Sequence, residues 1–149
     1  VGTEQDLKKY APDVKYVPPI QAPRSYRDAL EILETQRLAA DDIRSVVASG
    51  KLEEAGIKVL NLLPKLNSAG AVVLNEVGSS SSSTIDQLRQ ANFQSLFQDL
   101  QGQWGGIGVM IGQGIRGELG VSAVAQLQIM KEIDEAVRSY DDFLSVVKR

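Results

Sequence analysis

The chain contains no cysteine and no histidine, and these two absences exclude more chemistry than any residue present suggests. Without them there is no disulfide, no Cys/His zinc site, no Ser-His or Cys-His nucleophile pair and no Glu-x-x-His di-iron site. A thiol-free chain folds alike in oxidising and reducing surroundings, so the compartment stays open. Aromatic residues make up only 5%, which leaves an aliphatic core. The uninterrupted apolar runs, Ile107 to Ile111 with its glycine among them, are far short of the roughly 18 to 20 residues of a membrane span. Neither a span nor a targeting segment is expected, and a start at Val1 fits a processed or trimmed chain. Basic residues are outnumbered, 16 against 19, for a net charge of −3, which argues against nucleic acid as a partner. What is present suits one globular domain: 149 residues, 43% hydrophobic and 23% charged, able to bury about two-thirds of the surface of the unfolded chain.

Four of the five prolines (Pro12, Pro18, Pro19, Pro23) fall within residues 1–24, where no helical period runs. This segment reads as an extended arm with polyproline character, and Tyr10, Tyr16, Val17 and Ile20 give it more apolar grip than a linker needs. From Ser25 onward apolar residues recur every three or four positions, and helices are expected at about 26–49, 52–77, 85–116 and 121–147. The first opens on an approximate capping box, Ser25 with Asp28. Its inward stripe is Ala29, Ile32, Leu33, Ala39, Ala40, Ile43, Val46 and Val47, and Gly50 suits the left-handed residue after a helix. In the second, Leu52, Ala55, Gly56, Val59, Leu63, Leu66, Val73 and Val77 face inward, and Pro64 predicts a kink near Leu60. Gly78 to Ser83 is a flexible loop, and Thr84 with Gln87 caps the third helix. That helix turns Ile85, Leu88, Phe93, Leu96, Phe97, Leu100, Trp104, Ile107, Ile111 and Ile115 inward. The fourth does the same with Val124, Leu127, Met130, Ile133, Val137, Tyr140, Leu144 and Val147. With no convincing strand, the pattern predicts an all-α, antiparallel up-down four-helix bundle with an extended proline-containing N-terminal arm.

Gly102 to Gly120 holds eight of the thirteen glycines and admits two readings. Gly112, Gly114 and Gly117 spell G-x-G-x-x-G after an apolar run, the order of a dinucleotide-binding turn. That turn needs a parallel strand feeding a helix N-terminus. No strand pattern precedes it, and the acids about twenty residues on, Asp134 and Glu135, sit within a helical pattern. The helical reading sets Gly102 four residues from Gly106 and Gly108 four from Gly112, so that a neighbouring helix can come close. It places a turn at Gly117 to Gly120, the third helix either reaching Arg116 or giving way as early as Gly102. The acidic pairs Asp41-Asp42, Glu53-Glu54 and Asp141-Asp142 are adjacent, and on a helix their side chains diverge by about 100°. They cannot share a substrate, and no calcium-loop spacing occurs. No catalytic residue, cofactor or metal is expected. Lys51, Lys58 and Lys65 repeat every seven residues, as a solvated face or part of a docking surface. Glu54 with Lys58 and Asp134 with Arg138 read as helix-surface pairs.

The arm Tyr16-Val-Pro-Pro-Ile20 with Pro23, the cysteine-free bundle pattern and the terminus Ser145-Val-Val-Lys-Arg149 together resemble the PsbQ-like extrinsic subunits of photosystem II, especially the diatom and algal forms. The resemblance implies a protein of the chloroplast thylakoid lumen, peripheral to the membrane and monomeric when free. It would dock on the lumenal face of photosystem II, against core subunits and other extrinsic subunits, and support oxygen evolution without catalysing anything. Plant members are basic and carry a longer arm, whereas this chain is acidic and glycine-rich in its third helix, so no individual binding residue carries over. From charge and position, the candidate contacts are Lys8, Lys9, Lys15, Tyr16 and Arg24 of the arm and Lys51, Lys58 and Lys65 of the second helix. The alternatives are a dinucleotide-binding enzyme using the glycines of 112–117 and a generic secreted helical interaction module.

Overall fold

The structure, a computed structural model, describes residues 23–79 and 84–148. These form four helices and no strand: α1 (Tyr26–Ala48), α2 (Leu52–Ser79), α3 (Thr84–Ile115) and α4 (Ser122–Val147). Each helix packs on its neighbour in the chain, and α4 closes back onto α1. Of the expected arm only Pro23 and Arg24 are among the described residues; Lys8, Lys9, Lys15 and Tyr16 lie outside them, as does the serine run at 80–83.

Local chemistry sets the helix ends. Ser25 is extended and its Oγ accepts the Asp28 N–H at 3.1 Å, so α1 begins with one orphan donor satisfied. Gly50 takes φ +80°, its N–H bonds Val47 at 2.9 Å and the Lys51 N–H bonds Val46 at 3.2 Å, the paired bonds of a Schellman stop. The same device ends α3: Gly117 at φ +77° donates to Gly114 at 3.2 Å, and Glu118 donates to Gln113 at 2.9 Å. The glycine-rich stretch is therefore helix through Ile115, followed by a turn that closes on Gly120 at φ +89°.

The core departs from the sequence pattern by single positions. On α2 the buried set is Leu52, Ala55, Val59, Leu62, Leu66, Ala69 and Val73, steps of three and four in alternation. Leu62 thus takes the inward place expected of Leu63, which is only partly buried. On α4 the core takes Ala125, Ile129, Ile133, Ala136, Tyr140, Phe143, Leu144 and Val147. Val124 and Leu127, expected inside, are exposed, Leu127 by 68%. The cause is close approach: a Cβ added at Gly114 would stand 3.0 Å from Leu52, 3.3 Å from Ile129 and 3.7 Å from the Ala125 methyl, so small residues hold this seam. Leu88 (66% exposed) and Ile115 also face out rather than in. The side chains of Val77, Ile85 and Gln87 lie outside the described residues. α2 stays helical through Pro64; the missing N–H belongs to a bond with Leu60, a residue that is only half-buried.

One side chain locks three helices. The Phe97 ring of α3 covers Gly70 of α2, where a Cβ would overlap the ring, and stacks on Phe143 of α4 at 5.8 Å and 24°. Across the bundle the Tyr140 hydroxyl donates to the Leu33 carbonyl and Tyr26 donates to Val147 at 2.8 Å. Gly70→Ala should lower unfolding free energy by about 1–3 kcal/mol through overpacking, measured by urea denaturation; an unchanged midpoint would show that the ring moves aside freely.

Candidate functional site

Charge is distributed unevenly over the bundle. The ion pairs that tie helices together gather on α1: Arg37 to Asp141 of α4 at 2.7 Å, Arg44 to Asp134 of α4 at 2.6 Å, Glu34 to Lys148 at 2.6 Å and Asp42 to Lys58 of α2 at 2.7 Å. Both arginines grip their carboxylates through two nitrogens, the fork geometry that fixes orientation as well as attraction. The hydrogen bond from Arg44 holds the Asp134 carboxyl below the usual carboxylate range, and the Asp42 hydrogen bond raises the Lys58 ammonium above its ordinary value. Lys58 and Asp134 thus take partners on another helix. The expected i,i+4 partners, Glu54 and Arg138, add only longer-range charge.

This placement divides the expected contacts. Arg24 is exposed immediately before the Ser25 cap, and Lys51 is exposed in the turn between α1 and α2. Lys65 is half-buried on α2, and Lys58, also half-buried, is committed to Asp42. The middle member of the seven-residue ladder is thus already neutralised within the bundle.

The dinucleotide order of glycines has the wrong surroundings. Gly112 and Gly114 are in the last turn of α3 and Gly117 is in the stop that follows. A pyrophosphate needs free N–H groups at a helix N-terminus, whereas these glycines stand at a C-terminus with carbonyls and negative dipole. Among the described residues no group of three acidic side chains is placed to hold a metal ion.

The glycines instead shape a surface. A Cβ at Gly102, Gly105 or Gly106 would meet nothing within 4 Å, so the helix approach expected at Gly102 and Gly106 does not occur. Gly108 lies against Val59 and Gly56 against Ile111, each at 3.5 Å from an added Cβ. Between α2 and α3 this leaves an apolar groove of about 530 Å³, with Val59 and Ile111 in its floor and Gly56, Gly105, Gly108 and Gly112 along it. Ile57, Leu60 and Leu63 form one wall, Val109 (61% exposed) and Ile115 the other, and Glu53 closes one end. From Leu100 to Ile115 α3 carries no charged residue. Sequence reasoning missed the groove; its trace was the run of glycines at 105, 108 and 112 within that uncharged span. α2 is also long and apolar enough over Leu52–Glu76 to cross a membrane by length and composition, although a third of that window is buried in the bundle.

No protein-family model, curated protein or solved structure matches this chain.

Two outcomes follow from these placements. Alanine at Gly102 or Gly106 should raise stability by up to about 1 kcal/mol each, since helix propensity improves and nothing clashes; a loss on denaturant titration would reveal a structural role for the glycine. Asp134 has a depressed folded-state value, so its stabilisation is complete above the unfolded value near pH 4 and is lost as pH falls through the lower folded one. The stability difference between wild type and Asp134→Asn should therefore be constant at neutral pH and shrink below about pH 4, as followed by urea titrations across that range.

Proposed function

We propose that the protein is a non-catalytic extrinsic subunit that docks on the lumenal face of photosystem II and supports oxygen evolution, as the PsbQ-like subunits do. The observation that carries the reading is the two-sided surface: charge spent on joining α1 to its neighbours, and a glycine-bearing second half of α3, uncharged from Leu100 to Ile115, beside an open apolar groove. A surface of that kind suits contact with another protein, and no geometry here favours the dinucleotide alternative. An up-down antiparallel course belongs to the proposal, supported by the opposed numbering of the α1 and α4 partners: Tyr26 with Val147, Arg37 with Asp141, Arg44 with Asp134.

On this reading the protein works in the thylakoid lumen, monomeric when free, against photosystem II core subunits and other extrinsic subunits. The proline-containing segment over residues 1–24 supplies contacts through Lys8, Lys9, Lys15, Tyr16 and Arg24, with Lys51 and Lys65 adding charge. A bipartite plastid leader on the precursor would separate this function from that of a generic secreted helical module. Deleting residues 1–24 should leave the circular dichroism of the bundle intact while weakening rebinding to salt-washed photosystem II membranes. Undiminished rebinding would remove the arm from the contact.

A further inference from the structure

We infer that the groove between α2 and α3 seats an apolar helix of the partner complex that carries one basic residue near its end, set against Glu53; this rests on the docking function proposed above. Three features of the molecule converge on it. A groove between two packed helices receives the side-chain ridge of a third, and Gly105, with nothing within 4 Å of an added Cβ, leaves this one open to close approach. The fold itself makes no use of Gly105, whose added Cβ would stand in open space, although a glycine weakens the helix there. The walls Ile57, Leu60, Leu63, Val109 and Ile115 are all aliphatic.

Charge selects the occupant. Glu53 is the one charged residue lining the groove; it is exposed and has no ion pair among the described residues. A partner helix that is apolar along its length and carries a Lys or Arg near one end satisfies both the walls and this carboxylate. A second copy of the chain brings a net charge of −3 and the same acidic end, so self-association gains no such complement. A bilayer offers no fixed cation to meet the carboxylate.

The test is rebinding of wild type and variants to salt-washed photosystem II membranes. Gly105→Leu fills the groove from a position with room for the side chain; it should keep the fold and the thermal midpoint and weaken rebinding on the order of tenfold or more, as expected for blocking a central contact. Gly102→Leu, equally free of neighbours but outside the groove lining, should rebind as wild type does. Glu53→Gln should weaken rebinding and Glu53→Lys should weaken it further. Equal rebinding by wild type and Gly105→Leu would overturn the groove seat while leaving docking intact, and equal losses in Gly102→Leu and Gly105→Leu would do the same. Failure of wild type to rebind would overturn both proposals. Binding of wild type to phosphatidylcholine vesicles, or a dimer in light scattering, that Gly105→Leu abolishes would replace the helix with a bilayer or a second copy.

Discussion

The contact between Phe97 and Gly70 sets the spacing on which the rest of the bundle depends. With no side chain at Gly70, the edge of the Phe97 ring comes up against α2 there, and the ring stacks on Phe143. α3 is thereby held to α2 and α4 through a single residue. In a chain with 5% aromatics, so large a buried surface in one place matters: each aromatic ring removes on the order of 150–250 Å² from water. The aliphatic stripes then fill in around this point, Leu62, Leu66 and Ala69 from α2 and Ile133 and Ala136 from α4.

Against that apolar lock, the ion pairs of α1 do a different kind of work. The paired side chains remain about half exposed, Arg44 by 42% and Asp134 by 45%, and pairs in that setting contribute little to stability. Their geometry is directional, however, and two forked arginines spaced along α1 meet two carboxylates spaced along α4. Sliding α1 by one turn would leave both forks unmatched. The apolar core makes the helices associate, and the charges on α1 fix how they align. α3 needs no such guide, because the Phe97 ring fits only over a residue that lacks a Cβ.

Helix extents were legible in the sequence because they are decided locally. Ser25, Gly50 and Gly117 each act through backbone bonds a few residues away, and each does what its type predicts. Facing was legible only to within one position. Leu62 and Leu63 are chemically the same, as are the claims of Val124 and Ala125 on a seam, and the choice falls to the distance between backbones that Gly70 and Gly114 permit. Ion-pair partners were misjudged for a related reason: the i,i+4 rule weighs one helix alone, while Lys58 and Asp134 found better-placed oxygens and nitrogens on α1. The groove was least legible of all, since it exists only when Gly56 of α2 lies across from Gly108 and Gly112 of α3.

Six of the eight glycines of α3 and its stop fall into three physical groups. Gly117 and Gly120 take left-handed backbone that any other residue would strain to adopt. Gly114 makes room for Leu52 and Ile129 at the tight end of the bundle. Gly102, Gly105 and Gly106 neither turn the chain nor admit a neighbour, and each loosens a helix that Ala would strengthen. Nothing inside the bundle requires a glycine at these three positions. Of the three only Gly105 lines the groove, and there it leaves room for a second helix to come within backbone distance. Internal packing therefore accounts for the inner face of this stretch, and the partner contact proposed above would account for Gly105 on the outer one.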